Sequence, residues 1–249
     1  MFPLRDDNPT LTTPVVTWLL VALNVAAWIL LQGAGAEPML GKSVCRLGLI
    51  PGELLGLARN GARFHVGPHM VCVIDHASAN VLSPLTSMFV HGGWFHLIGN
   101  MWFLWIFGDN VEDVMGRGRF VVFYLLSGLA AAAAQTFADP ASTLPMVGAS
   151  GAIGGVMGAY ASLYPRARVD MLVVLGFYVT RVAVPAIFLL GYWFLIQILG
   201  GIPSLAAEGG GVAFAAHVGG FLGGFLLSFL FRNPRLVEEH RILAGSRPL

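Results

Sequence analysis

The stretch Val147–Tyr160, VGASGAIGGVMGAY, sets a single hydroxyl, Ser150, among glycines and alanines with almost no side chain. It lies in one of six apolar runs of a 249-residue chain that is 56% hydrophobic and 11% charged, with a mean hydropathy of +0.75. An average soluble domain carries roughly a quarter charged residues, so this composition is that of an integral membrane protein. A helix needs about 20 residues to cross a hydrocarbon layer of ~30 Å. The runs at 14–32, 94–108, 119–137, 148–164, 182–200 and 212–231 are therefore read as six spans of an all-α membrane protein. His96 and Asn100 interrupt the start of the second, and polar groups at membrane depth need a reason.

Basic residues orient the six spans. Arg5, Arg117, Arg119, Arg166, Arg168, Arg181, Arg232, Arg235, Arg241 and Arg247 fall on one side, and the loops near 138–147 and 201–211 hold no Lys or Arg. The positive-inside rule then makes both termini cytoplasmic. Lys42, Arg46, Arg59 and Arg63 lie in the long outer first loop, about 33–90, and long loops translocate largely regardless of charge. Residues 15–31 are read as a retained span rather than a cleaved leader. Ala34 and Ala36 offer a small-residue cleavage pattern, but Asp6 and Asp7 outweigh Arg5 where a leader wants a positive start.

The chain reads as one membrane domain, 1–249, with tails 1–13 and 233–249 too short to fold alone. In the outer loop, leucines at helical spacing in LGLIPGELLGLARNGARF predict a short amphipathic helix at the interface. Cys45 and Cys72 share that loop. In an oxidising space they can pair and close a loop, contributing on the order of 3 kcal/mol, or they can be two separate buried thiols. The inner turn FGDNVEDVMGRGRF carries Glu112, to which a capping or solvated role is assigned.

Depth organises the polar residues. With cytoplasmic termini, the second, fourth and sixth spans all enter from the outer side. His91 and His96 then sit at the start of the second span with Asn100 one turn deeper, Ser150 in the first turn of the fourth, and His217 in the second turn of the sixth. These are the groups acyl transfer needs. A serine hydroxyl is a poor nucleophile until a base takes its proton, and imidazole does so near neutral pH. His217 is read as that base, with His–Asn donors and free N–H groups at a helix start available for an oxyanion. No acid lies at the same depth, so the expectation is a dyad. Ser150, Gly154 and Gly158 share one helix face, and His217, Gly220 and Gly224 another. Such small faces let two membrane helices approach closely.

These motifs together resemble the rhomboid family of intramembrane serine proteases: GASGAIGGVMGAY is similar to its GxSG nucleophile motif, HGGWFHLIGN to its HxxxxHxxxN motif, and AAHVGGFLGG to its last-helix histidine motif. The resemblance runs from about Leu47 to Phe231. It implies a six-helix rhomboid bundle with Ser150 as nucleophile and His217 as general base. It further implies an oxyanion hole of His96, Asn100 and the Ser150 N–H, with His91, Gly148, Gly151 and Gly154 shaping the site. The implied activity is hydrolysis of peptide bonds in or near transmembrane helices of single-span or multi-span substrates. The implied setting is the cell (inner) membrane, with the site open to the outer side and no metal, cofactor or nucleic acid. Some bacterial members carry an aromatic residue, packed on the histidine, where this chain has Gly154; other contacts must hold His217 here. His65, His69 and His76 match no family motif. Two alternatives remain at this stage. One is a catalytically silent relative that binds membrane helices, which the presence of both Ser150 and His217 disfavours. The other is a histidine-lined ion site, disfavoured by the lack of carboxylate or cysteine ligands at that depth.

Overall fold

The computed structural model describes residues 2–66, 70–77, 79–204 and 213–243. His69, most of the 201–211 loop with Glu208, and the end of the tail with Arg247 lie outside the described residues. Strand β1 (Phe2–Asp6) precedes helix α1 (Val15–Leu30). The long loop contains α2 (Met39–Leu47), the single turn α3 (Pro51–Leu54), the hairpin β2 (Arg63–Val66) and β3 (Met70–Val73), and the single turn α4 (Ser83–Thr86). Helices α5 (Trp94–Met115), α6 (Arg117–Ala138) and α7 (Ser150–Leu163) follow. After them come β4 (Arg168–Leu175), β5 (Tyr178–Pro185), α8 (Ala186–Ser204), α9 (Phe214–Phe231) and α10 (Pro234–Leu243).

Each apolar run holds one long helix, namely α1 and α5 to α9. Among the described residues, α6 and α9 are long and apolar enough to cross a membrane, and α1 and the Ala186–Gly201 part of α8 are shorter apolar helices. Their outward faces stay apolar: Leu19, Ile29, Phe95, Trp105, Val122, Phe188, Leu195, Leu226 and Leu230 are all exposed. Such surface suits lipid rather than water. The centre is α7, whose residues from Gly151 to Ala161 are buried beneath α9, α6 and α5.

Glycines explain how α7 becomes so enclosed. A Cβ on Gly220 would strike the Gly151 carbonyl oxygen, one on Gly224 the Gly155 backbone, and one on Gly158 the Phe221 carbonyl oxygen. The α7–α9 seam is thus backbone against backbone, and a methyl group at any of these positions would separate the helices. Gly155 and Gly151 meet α6 instead, where a Cβ would press on Ser127 and, at 2.5 Å, on Ala131.

The chain is mostly helical and carries strands as well: β4 pairs antiparallel with β5 along its length and with β1 on its other edge. The run at 182–200 accordingly starts as strand and turns helical only at Ala186. The β-branched Val182 and Val184, with Val179 and Thr180 before them, favour an extended pleated backbone, and Pro185 closes the strand. The N-terminal tail folds as β1 against this sheet, and α10 packs on α5, so both tails join the bundle. The amphipathic helix expected after Leu47 shrinks to α3 and its place is taken upstream by α2. Gly56 and Gly61, at φ +69° and +78°, turn the chain where that helix would have continued.

Helix α5 runs on to Met115 instead of ending at 108, because its last turns serve other elements. Glu112 accepts hydrogen bonds from the Val16 and Thr17 N–H groups at 3.0 and 2.8 Å, satisfying donors that the start of α1 leaves open. Asp113 does the same for Leu11 and Thr12 at 2.7 and 3.1 Å. The capping role assigned to Glu112 is the one the structure gives it. In the long loop between α1 and α5, a disulfide joins Cys45 of α2 to Cys72 of β3 across a Cα–Cα distance of 5.6 Å.

At the end of α7 away from Ser150, Asp6 accepts a hydrogen bond from the Tyr160 hydroxyl. Burial pushes its carboxyl from the ordinary 3.8 up to about 7, against the opposing pull of the Tyr160 bond. The folded chain therefore holds this proton more tightly than the unfolded one, and Asp6 contributes stability that is full below pH 3.8 and lost as pH rises through about 7. Thermal unfolding in detergent should show a lower midpoint at pH 8 than at pH 5. Asp6→Asn, which keeps an acceptor for Tyr160, should shrink that difference; an unchanged difference would remove Asp6 as its source.

Candidate functional site

Ser150 is the first residue of α7, and His217 stands one turn into α9. The glycine seam between these helices leaves their side chains in reach, and Ser150 Oγ lies 2.8 Å from His217 Nε2. Both residues are half-buried. Being first in its helix, Ser150 has an N–H with no partner inside α7, a donor open to whatever binds beside the hydroxyl.

The other ring nitrogen of His217 fixes its chemistry. Nδ1 lies 2.7 Å from Oε1 of Gln197, a buried residue of α8. An amide oxygen only accepts, so the ring proton sits on Nδ1 and the Nε2 lone pair faces Ser150. Trp193, one turn earlier on α8, lies against the same imidazole at a centroid distance of 5.7 Å and also packs on Phe221. Gly154 is not a gap. A Cβ there would stand 3.3 Å from the His217 carbonyl oxygen, 3.5 Å from the Phe221 nitrogen and 3.8 Å from the Trp193 ring. Backbone of α9 and the indole of α8 fill the space an aromatic residue would have used.

The donors come from α5 and the turn before it. The Gly92 N–H donates to His96 Nδ1 at 3.3 Å, which leaves the His96 proton on Nε2. That nitrogen points at Gly148, where a Cβ would approach it to 2.5 Å; Gly148, at φ +116°, is a position for glycine alone. Asn100 Nδ2 lies 3.5 Å from the same point and is buried without a hydrogen-bond partner. A buried donor left open costs about 1–3 kcal/mol, so its persistence here marks a place where an acceptor fits. The Gly148 N–H is already engaged by the Ser87 carbonyl at 2.9 Å, which holds the turn before Ser150 in place.

His91 packs edge-on against His96 at a centroid distance of 5.2 Å, fully buried with both ring nitrogens unpartnered. Its backbone is clamped on both sides by Gln32, which donates to the His91 carbonyl at 2.7 Å and accepts from its N–H at 2.8 Å. The sequence-expected residues therefore assemble in three degrees. Ser150, His217, His96, Asn100, Gly148 and His91 stand together. Gly151 and Gly154 line the helix seams rather than the reacting face. Cys45 and Cys72 lie apart, in the loop.

Gln197, Trp193 and Gln32 escaped the sequence reading. For Gln197 a signal was present: it is the one amide in the run 182–200, and a polar group in an apolar span asks for a partner. His76, left outside the site on sequence grounds, bridges the loop instead, its ring nitrogens lying 2.7 Å from the Ala58 and 3.3 Å from the Glu53 carbonyls. Among the described residues no group of His, Cys, Asp and Glu is arranged to hold a metal ion.

Chemically, a hydroxyl facing an imidazole lone pair, beside three N–H donors converging from two helices, is equipped to form and hold a tetrahedral oxyanion. Comparison with known proteins gives the family. Residues 78–234 match the family model described as Rhomboid domain. The chain is 28% identical over 186 residues to Rhomboid protein 1, mitochondrial, of Saccharomyces cerevisiae, covering 72% of this chain and 50% of that protein. It is 31% identical over 151 residues to Rhomboid protease GluP of Bacillus subtilis, covering 61% and 26%. To RHOMBOID-like protein 6, mitochondrial, of Arabidopsis thaliana it is 34% identical over 146 residues, covering 59% and 42%. The matches thus span half or less of the length of these relatives.

Proposed function

We propose, for a chain that belongs to the rhomboid family of integral membrane proteins, that it is an intramembrane serine endopeptidase cutting membrane-protein substrates in or near their transmembrane helices. The observation that carries this reading is the Ser150 Oγ–His217 Nε2 contact of 2.8 Å, with the unpartnered Asn100 amide beside it.

The geometry supports acyl transfer through an acyl-serine. His217 Nε2 takes the Ser150 proton as Oγ bonds to the scissile carbonyl carbon, and the carbonyl oxygen becomes an anion. His96 Nε2–H, Asn100 Nδ2–H and the Ser150 N–H receive that charge. The protonated His217 then gives its proton to the leaving amine, and the C–N bond breaks to leave an acyl-serine. Water, deprotonated by His217, attacks the ester; its collapse releases the carboxylate fragment and restores the Ser150 hydroxyl.

Six spans, α1 and α5 to α9, would set the chain in the bilayer as one rhomboid domain, with both termini and the β1–β4–β5 sheet on the cytoplasmic side. Helix α7, with 14 residues, is ~21 Å long against a hydrocarbon thickness of ~30 Å, so its Ser150 end would lie below the outer surface. Substrates would be single-span or multi-span proteins whose helix frays near that depth, because a peptide bond inside a hydrogen-bonded helix is closed to attack. Lipid is the natural surround of the apolar outer faces.

The test is cleavage of a single-span reporter by the purified chain in liposomes. Two fragments, formed equally with and without a chelator, are expected. An intact reporter with folded protein would favour the silent, helix-binding alternative. Asn100→Ala should lower kcat/KM by on the order of 10²-fold, the usual loss of one oxyanion donor; an unchanged rate would take Asn100 out of that role.

A further inference from the structure

On the dyad reading above, we propose that Gln197 is a positioning residue for His217, holding the imidazole in the tautomer and orientation that make it a competent base. A dyad histidine lacks the carboxylate that, in a triad, holds its tautomer and orientation. Here the buried Gln197 Oε1 takes that place at 2.7 Å from Nδ1, leaving Nε2 to accept from Ser150 at 2.8 Å. The alternative tautomer, with the proton on Nε2, would set Nδ1 lone pair against amide lone pair and aim an N–H at the hydroxyl it must deprotonate.

Trp193, at i−4, reinforces the hold. Its ring lies at 5.7 Å from the imidazole and 3.8 Å from the Cβ that Gly154 lacks. One helix thus supplies both a polar and an aromatic support. Helix α8 meets both α9 and α7 on this side, which keeps the amide and the indole against His217.

Two substitutions separate positioning from packing. Gln197→Met keeps the side-chain volume and removes the acceptor; Gln197→Glu keeps an acceptor oxygen and buries a charge. Positioning predicts that Gln197→Met lowers kcat by on the order of 10- to 100-fold with KM within about 2-fold, and that Gln197→Glu retains the larger share of activity. A packing role predicts the reverse order, and that result would overturn the proposal. A measurement on the unmodified protein stands beside these: ¹⁵N NMR of His217, assigned by difference from His217→Ala, should show a protonated Nδ1 and a bare Nε2. A proton on Nε2 would overturn the proposal as well. An inactive wild type overturns the protease reading and this inference together, whereas an active wild type matched by Gln197→Met overturns the inference alone.

Discussion

Replacing Ser150 by alanine is expected to reduce cleavage of a single-span reporter to background, a loss on the order of 10⁴-fold or more, and His217→Ala should do the same. The size follows from the hydroxyl and its base being in direct contact at 2.8 Å, so that losing either one removes the activated nucleophile. Because the two act as a unit, the double variant should be no worse than each single one. Neither change should unfold the protein. Ser150 opens α7 and is half-buried, and the glycine seam that binds α7 to α9 uses neither side chain. Measured in liposomes beside thermal unfolding in detergent, full activity in either variant at wild-type stability would remove that residue from the chemistry.

The second large effect comes from a residue without chemistry. Gly220→Val places a branched side chain where even a Cβ would strike the carbonyl oxygen of Gly151, the residue next to Ser150. The obstacle is backbone, which cannot rotate aside, so α7 and α9 must separate. Overpacking of this kind costs about 1–3 kcal/mol. The functional cost is larger, since displacing reacting groups by ~1 Å costs ~10²-fold in rate. Cleavage should fall by ~10²-fold or more while the helices still form. Gly191→Ala on α8, where a Cβ meets nothing within 4 Å, is the matched control and should behave as wild type. Equal activity in the Gly220 and Gly191 variants would mean that the close seam is not what holds Ser150 to His217.

These expectations show which parts of the molecule were legible in one dimension. The helices of the bundle follow from apolar runs, because a lipid-facing helix must be greasy along its length. The meeting of Ser150 with His217 was legible because each sits near the N-terminal end of its apolar run. The β1–β4–β5 sheet was not legible. Its strands pair residues as far apart as Phe2 and Leu172, and Val182 and Val184 of β5 belong to the same apolar run as helix α8. The length of α5 was hidden for a related reason: Asp109, Glu112 and Asp113 look like a solvated turn until the segment they serve, Thr10 to Thr17, is folded back on them.

Gly154 taught the most about the site. From sequence it was a missing aromatic, and the support of His217 was open. In three dimensions the glycine admits the α9 backbone and the Trp193 ring, and Gln197 completes the hold from a helix that no spacing rule connects to His217. A lone amide in an apolar span was the trace this arrangement left in the sequence.

The central claim is that Ser150 is a nucleophile because His217 makes it one. It is tested most directly by treating the protein in liposomes with a fluorophosphonate and locating the adduct by peptide mass spectrometry. A single phosphonyl group on Ser150 in the wild type, and none in His217→Ala, is the result this account predicts. Labelling of Ser150 that persists undiminished in His217→Ala, or labelling confined to another serine, would contradict it.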